Sequence, residues 1–323
     1  MTRAVVFAYH NVGVRCLSVL LAHGVDVALV VTHQDNPDET IWFDSVAEFA
    51  AQHGLPCITP DDPNDPAMIA RIAALAPDFV FSFYYRLMLK PALLALPRLG
   101  AYNMHGSLLP KYRGRVPVNW AVLHGERETG ASLHRMLEKP DAGAVVAQQA
   151  VPILPNDTAL AVFQKVTVAA EMALDRILPQ LIDGTAKEIP QDLARGSYFG
   201  GRKAEDGRID WWQPAQAIHN LVRAVAPPYP GAFCNFLDGH LRVLATLQPT
   251  GETGECGKPA LLVRNDKLVA ECGDRKLLRL LTVEFAGKQF SAAEWLAKFG
   301  PIPVSLDSQA DPRTITPTSL PQT

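Results

Sequence analysis

A thirteen-residue segment, 103–115, contains an amide, an imidazole and two guanidinium groups. Asn103 can donate a hydrogen bond to an oxyanion, and His105 can transfer a proton near neutral pH. A second segment, 137–143, adds the carboxylate of Asp141 two residues before a glycine. These three groups suit attack on a carbonyl carbon, so we expect acyl transfer without a covalent enzyme intermediate.

Each of these residues also has a simpler interpretation. His105 could be a turn histidine with local hydrogen bonds, and Asp141 could be an ordinary turn residue. Asn103 favours the functional interpretation, because side chains two residues apart point to the same side of an extended chain. A nearby carboxylate would stabilise the imidazolium and raise the pKa of His105. We therefore predict that Asn103, His105 and Asp141 form one site, with the proximity of Asp141 left open by the sequence.

Other polar residues of the first segment are weaker candidates. Ser107 lacks the G-x-S-x-G context of a serine nucleophile, and we expect it to make hydrogen bonds within a turn. Arg113 and Arg115 are either solvated surface charges or contacts for an anion such as a phosphate or a folate glutamate. The histidines show no metal-ligand spacing, so we expect no metal. The absence of a G-x-G-x-x-G motif gives little support to a nicotinamide cofactor.

The elements that would position these residues alternate between strands and helices. Buried-strand patterns at 4–8, 26–32 and 78–83 are separated by helical patterns, and a further strand is expected over 101–104. Short connections predict an α/β fold with a Rossmann-like, doubly wound parallel sheet. Ligands bind such sheets beyond the carboxyl ends of the strands, which is where His105 lies.

The pattern changes after an amphipathic helix predicted over 157–184, with Asn156 or Asp157 as its N-cap. We expect a Rossmann-like domain over 1–193, a linker over 194–207, a small domain over 208–306 and a disordered tail over 307–323. Short strand-like runs between glycine turns predict that the small domain is β-rich, in the form of an OB-like β-barrel.

Composition excludes several classes of protein. Hydrophobic residues make up 48% of the 323 residues, which is enough for two cores. The net charge of −3 is unlike that of a nucleic-acid binder. No apolar run reaches the ~18 residues of a membrane span. The five cysteines form no C-x-x-C motif and predict reduced thiols, so we expect a cytoplasmic protein that binds neither nucleic acid nor membrane.

Taken together, these motifs resemble those of the 10-formyltetrahydrofolate-dependent formyltransferases. The resemblance rests on Asn103-x-His105, on the runs 107–110 and 112–114, and on Asp141-x-Gly143. Further runs resemble one branch of the family, and they lie at 7–10, 32–37, 81–86, 115–120, 133–136 and 225–233. That branch formylates the 4-amino group of UDP-4-amino-4-deoxy-L-arabinose in lipid A modification, which underlies polymyxin resistance. The resemblance extends over residues 1–300.

The resemblance implies a role for each site residue. The substrate amine would attack the formyl carbon of 10-formyltetrahydrofolate, the co-substrate, and Asn103 would hydrogen-bond the oxyanion. His105 would be the general acid or proton shuttle, and Asp141 would raise its pKa. Folate contacts are implied for nine residues: Leu87, Met88, Leu89, Arg115, Leu137, Glu138, Lys139, Pro140 and Asp141. The second domain would be similar to the C-terminal domain of methionyl-tRNA formyltransferase.

Several alternatives stay open at this point. A methionyl-tRNA formyltransferase would need a basic face for tRNA, which the charge balance disfavours. Another nucleotide-linked amino sugar, such as a dTDP-linked one, stays open as the acceptor, because spacing does not identify the residues of the sugar pocket. A non-catalytic folate-binding module would not need a proton shuttle. Many members of the branch carry a fused decarboxylating dehydrogenase, for which this chain has no room. A separate dehydrogenase of the same pathway is then the expected partner.

Overall fold

The computed structural model divides the chain into two compact units, Met1–Arg202 and Lys203–Thr323. The structure describes residues 1–37 and 39–306, so the tail predicted over 307–323 lies outside the described residues. Within the described part, every helix is too short or too polar to cross a membrane.

The first unit contains nine strands and six α-helices in its described residues. The strands are β1 (Arg3–Ala8), β2 (Asp26–Val31), β3 (Cys57–Ile58), β4 (Phe79–Phe83), β5 (Gly100–His105), β6 (Arg113–Gly114), β7 (Glu128–Arg135), β8 (Val145–Pro152) and β9 (Tyr198–Phe199). The helices are α1 (His10–Ala22), α2 (Val46–Gln52), α3 (Pro66–Ala74), α4 (Pro91–Leu94), α5 (Pro117–Leu123) and α6 (Ala159–Asp183).

The main sheet of this unit has the strand order β3-β2-β1-β4-β5-β7-β8. The five strands from β3 to β5 are parallel, which confirms the predicted Rossmann-like architecture. The last two strands run antiparallel. Only residues 136–144 join β7 to β8, and a parallel crossover needs about a dozen residues or more. The result is a parallel sheet with an antiparallel edge.

Helices cover both faces of the sheet, as the buried-strand patterns predict. Every residue of β1 after Arg3 is fully buried. Val5 and Phe7 pack in one cluster with Ile72 of α3 and Leu93 of α4, and α1 packs against α6. Strands enclosed in this way read as continuous apolar runs rather than as alternating ones.

The start of one helix differs from the sequence prediction. The side chain of Thr158, not that of Asn156 or Asp157, caps α6 by accepting a hydrogen bond from the amide of Ala161. Helix α1 starts at His10 and includes Gly13. A Cβ at Gly13 would lie 3.0 Å from the Val46 side chain and 3.1 Å from that of Ala8. This glycine therefore serves close packing rather than chain reversal.

The segment 194–207, predicted as a linker, contains β9 and a 3-10 helix at Ala204–Gly207. Strand β9 pairs with β6 immediately after the loop that follows His105. A further 3-10 helix lies at Leu193–Arg195. Residues close to the end of the first unit therefore return to the neighbourhood of the candidate site.

The second unit is dominated by an antiparallel sheet, which confirms the prediction of a β-rich domain. Its elements are α7 (Ala215–Val225), β10 (Ala232–Phe236), β11 (Gly239–Thr246), β12 (Ala260–Arg264), β13 (Lys267–Glu271), β14 (Leu277–Phe285), β15 (Lys288–Gln289), α8 (Ala292–Phe299) and β16 (Val304–Ser305). The strand order is β10-β11-β14-β13-β12-β16, with β15 paired to β14. Val222 of α7 and Trp295 of α8 are buried in the core that this sheet covers.

Candidate active site

The candidate site is built on β5, which lies between β4 and β7. Asn103 is paired with Ser82 of β4 and with His134 of β7, and His105 is the last residue of the strand. The two predicted residues are two positions apart, so their side chains point to the same side of the strand. His105 is buried, whereas Asn103 is half-buried. The strand thus presents an accessible amide next to an enclosed imidazole.

Both ring nitrogens of His105 face protein oxygens. Nε2 lies 2.8 Å from the carbonyl oxygen of Tyr112, and Nδ1 lies 3.6 Å from Oδ1 of Asp141. A carbonyl oxygen can only accept a hydrogen bond, so Nε2 carries a hydrogen and donates a hydrogen bond to the Tyr112 carbonyl. Nδ1 is then the nitrogen that gains or loses a proton, and it does so facing a carboxylate.

The pKa of His105 differs from the sequence expectation. Burial lowers this pKa, because a charged imidazolium loses its hydration. Asp141 and the Tyr112 carbonyl oppose the effect, but the pKa of His105 stays below its ordinary value. Asp141 therefore acts in the expected direction without raising the pKa overall. The sequence prediction omitted the cost of enclosing His105.

Asp141 is held at a tight turn. Its backbone φ is 51°, in the left-handed region that aspartate tolerates better than most residues. Oδ2 accepts a hydrogen bond of 2.8 Å from the amide of Gly114, and Oδ1 lies 3.5 Å from Nε2 of His134. Burial alone would raise the pKa of Asp141, but His105 and the Gly114 amide hold it well below its usual range. The group is therefore a carboxylate at neutral pH.

The turn after Asp141 leaves no room for a side chain at Gly143. A Cβ at Gly143 would lie 1.9 Å from the carbonyl oxygen of Arg135. The amide of Arg135 donates to the carbonyl of Ala144, which closes the base of the loop. Glycine is thus required at the last position of the Asp141-x-Gly143 motif so that the loop can fold back onto β7.

Two further residues of this site were missed by the sequence analysis. His134 contacts Asn103 and Asp141. The contact with Asn103 arises because the strand pairing places His134 of β7 directly opposite it. Gln191 donates from its side-chain amide to the carbonyl oxygens of Asp141 and Gly143, at 3.0 and 2.6 Å. It lies 50 residues from Asp141 in sequence. No local signal points to either contact.

The remaining polar residues of the first segment follow two patterns. Ser107 is fully buried and its hydroxyl donates to the carbonyl of Lys111 at 2.6 Å, which confirms the predicted turn hydrogen bond. Arg113 is 91% buried, and its Nε has no hydrogen-bond partner among the described residues. Arg115 is exposed. A guanidinium enclosed in this way is a candidate contact for an anionic ligand.

The predicted folate contacts lie in separate loops. Leu87 and Met88 are 41% and 56% exposed, whereas Leu89 is buried. Asn64 fixes this loop, because it donates to the Met88 carbonyl and accepts from the Lys90 amide. In the second loop Leu137, Glu138 and Lys139 are exposed, and Pro140 is half-buried. Within residues 1–37 and 39–306, no hydrogen bond or ion pair joins either loop to the other or to Arg115.

Sequence models of two related domains match the chain. The model described as formyl transferase matches residues 15–178, and the model of the formyl transferase C-terminal domain matches residues 202–300. The first match alone covers half of the chain, and the two together cover most of both units.

Solved structures show the same fold at low sequence identity. An N-formyltransferase from Helicobacter canadensis, in complex with folinic acid and dTDP-3-aminofucose, is 18% identical, with a TM-score of 0.67. The match covers 90% of this chain and 100% of that one. A sugar 3N-formyl transferase solved in the presence of dTDP and 5-N-formyl-THF is 19% identical, with a TM-score of 0.67 and coverage of 87% and 97%. HypX from Aquifex aeolicus, in complex with tetrahydrofolic acid, is 19% identical, with a TM-score of 0.60 and coverage of 92% and 47%.

Proposed function

Because this chain belongs to the formyl transferase family and is therefore a formyltransferase, we propose that it formylates a nucleotide-linked amino sugar. The donor is 10-formyltetrahydrofolate, and the acceptor is the 4-amino group of UDP-4-amino-4-deoxy-L-arabinose. The observation that carries the proposal is the meeting of Asn103, His105 and Asp141, in which His105 Nδ1 and Asp141 Oδ1 are 3.6 Å apart. The choice of sugar rests on the motif resemblance outside the site.

The proposed chemistry is a direct transfer. The amine lone pair attacks the formyl carbon, a new C–N bond forms, and negative charge develops on the formyl oxygen. Asn103 donates a hydrogen bond to that oxygen, which stabilises the charge. The bond from the formyl carbon to N10 of the folate then breaks. One proton leaves the amine and one reaches N10, so tetrahydrofolate and a formamide are released.

His105 transfers the proton in this scheme, and Asp141 faces the nitrogen that carries it. The Nε2–H bond of His105 is occupied by the Tyr112 carbonyl, so Nδ1 takes up the proton. The imidazolium that results faces the carboxylate of Asp141. Because burial lowers the pKa of His105, the imidazolium is a stronger acid than free histidine and delivers its proton more readily to N10.

Features of the two loops support a folate donor. Leu87, Met88 and Leu137 are apolar side chains left in solvent, and aromatic rings such as those of a folate would cover them. The enclosed guanidinium of Arg113 has the charge and geometry to bind a carboxylate of the glutamate tail. Solved structures with this fold were also determined with folinic acid, 5-N-formyl-THF or tetrahydrofolic acid.

The second candidate acceptor is a dTDP-linked amino sugar. Structural neighbours carrying dTDP-3-aminofucose or dTDP favour it, and nothing in the site geometry separates the two nucleotides. Methionyl-tRNA is disfavoured by the acidic net charge. A role in lipid A modification, next to a separate dehydrogenase of the same pathway, depends on the UDP sugar.

The test is an acceptor comparison with 10-formyltetrahydrofolate as the donor. UDP-4-amino-4-deoxy-L-arabinose, a dTDP-4-amino sugar and methionyl-tRNA are supplied separately, and tetrahydrofolate release and product mass are followed. We expect the UDP sugar to gain one formyl group in place of one hydrogen. Transfer only to the dTDP sugar or the tRNA overturns the acceptor, and transfer to none overturns the function.

Substitution of the three site residues completes the test. We expect Asn103→Ala, His105→Ala and Asp141→Ala each to lower turnover about 100-fold or more. His23→Ala is the matched control, because His23 directly follows α1 and pairs with Asp175 away from the site. Near-normal turnover in a site variant removes the role assigned to that residue.

A further inference from the structure

We infer that His134 is a positioning residue that orients the side-chain amide of Asn103 for its hydrogen bond to the oxyanion. The inference rests on the proposed function, since formyl transfer is what requires Asn103 to act as a donor. His134 does not touch the reacting atoms in this arrangement. It acts on them through Asn103 alone.

The strand register brings the two side chains together. His134 on β7 lies directly opposite Asn103 on β5 in the antiparallel pair. Directly opposite residues have Cβ atoms about 5 Å apart, on the same face of the sheet. His134 is 2% exposed, so its ring has little freedom to move away. Nε2 of His134 lies 3.1 Å from Nδ2 of Asn103.

The other ring nitrogen fixes the direction of this contact. Nδ1 of His134 lies 2.8 Å from the carbonyl oxygen of Arg135, which can only accept a hydrogen bond. Nδ1 therefore carries the proton of the neutral ring, and Nε2 carries a lone pair. Nε2 then accepts a hydrogen bond from the amide nitrogen of Asn103. This is the only side-chain hydrogen bond of Asn103 within residues 1–37 and 39–306.

The contact determines which end of the Asn103 amide is anchored. An amide nitrogen has two hydrogens, and His134 binds one of them. The second N–H stays available as a donor to the oxyanion. Without an acceptor at His134, the amide can turn over and present its oxygen to the developing negative charge, which is repulsive.

Two substitutions separate orientation of Asn103 from simple support of the strand. A glutamine can place an acceptor near the position of Nε2, whereas an asparagine can place a donor near that of Nδ1. His134→Gln therefore keeps the contact with Asn103 and loses the one with Arg135, and His134→Asn does the reverse. We expect His134→Asn to lower kcat about 10-fold to 100-fold with the KM values of both substrates little changed. We expect His134→Gln to restore most of the activity.

A double-mutant cycle tests whether His134 acts through Asn103. In an Asn103→Ala background, His134→Asn should change kcat less than about threefold, because the group it orients is already absent. A full additional loss would overturn the inference, as would equal activity of the glutamine and asparagine variants. A third outcome is an inactive Asn103→Ala variant and a fully active His134→Asn variant. This outcome would support formyl transfer as the function but would overturn the role of His134.

The unmodified protein provides a measurement that does not depend on variants that fold. With nitrogen-labelled protein, NMR should show an unprotonated Nε2 in His134 and a coupling across the hydrogen bond from Asn103 Nδ2 to that nitrogen. A protonated Nε2 with no such coupling would overturn the inference. This readout is independent of catalysis, so it stays informative even if the protein transfers no formyl group.

Discussion

His105 donates a hydrogen bond from Nε2 to the backbone carbonyl of Tyr112 across 2.8 Å. Tyr112 follows His105 by seven positions in sequence, and the loop between them folds back so that its end contacts the imidazole ring. This contact fixes the tautomer of the neutral imidazole and leaves Nδ1 facing Asp141. The site therefore couples protonation of His105 to one carboxylate on one defined side.

Replacement of that carboxylate should lower the pKa of His105 further. Burial already places this pKa below 6.5, and Asp141 opposes the shift, so Asp141→Asn removes the opposition. Less imidazolium is then present at neutral pH, and the loss of turnover should be larger at pH 8 than at pH 6. An NMR titration of the His105 ring and a pH–rate profile measure both effects. Asp175→Asn, far from the site, is the control, and an unchanged pKa of His105 in Asp141→Asn would contradict the expectation.

Loss of the Gln191 amide should impair catalysis without abolishing folding. Its two hydrogen bonds hold the backbone of Asp141 and Gly143, so Gln191→Leu frees the turn that carries the carboxylate. We expect kcat to fall about 10-fold with smaller effects on KM, because a misplaced catalytic group costs rate more than binding. Steady-state kinetics check this result. Asp192→Asn is the control, since asparagine keeps the cap to the Ala194 amide. Equal kcat in the two variants would show that the turn holds Asp141 without Gln191.

Polar substitution in the exposed apolar loop should weaken folate binding. Leu87 and Met88 are largely solvated, and burying such side chains against a ligand contributes about 1–2 kcal/mol each. Leu87→Ser and Met88→Ser should therefore raise the KM for 10-formyltetrahydrofolate about 10-fold and leave kcat close to that of the wild type. Leu237→Ser, at a residue 71% exposed in the second unit, is the matched control. An unchanged KM for the folate would remove this loop from the donor site.

Acidification should destabilise the first unit through His10. This residue is buried against the ring of Phe43, and burial lowers its pKa from 6.5 to about 3, with a smaller contribution from Arg86. Below pH 6.5 the unfolded chain binds a proton that the folded chain does not. Stability from this group is therefore complete above pH 6.5 and declines as the pH falls towards 3. At pH 5 the loss is about 2 kcal/mol.

His10→Asn tests this linkage with little change in the backbone. Asparagine tolerates the positive φ of 67°. Its side-chain oxygen can also accept the hydrogen bond from the Asn11 amide that Nδ1 of His10 accepts in the wild type. The free energy of unfolding, measured by denaturant titration at pH 7 and pH 5, should fall less in the variant than in the wild type. If the free energy of unfolding falls equally between pH 7 and pH 5 in the two proteins, groups other than His10 cause the acid sensitivity.

Local pattern was sufficient for much of the fold and for part of the site. The apolar runs of β1, β2 and β4 and the amphipathic period of α6 depend on neighbouring residues in the chain, so the sequence predicts them directly. The shared side of Asn103 and His105 follows from the period of a single strand in the same way. The parallel core of the sheet follows from the order of strands and helices.

What only the tertiary structure decided involves residues far apart in sequence. The 3.6 Å approach of Asp141 to His105 depends on a loop that folds back onto β7, and the contact of His134 with Asn103 depends on strand register. Gln191 reaches Asp141 from the segment that follows α6. The pKa of His105 is below its ordinary value because the whole fold encloses the ring. Register, loop closure and burial are set by the packing of the complete unit, whereas periodicity is set by a few adjacent residues.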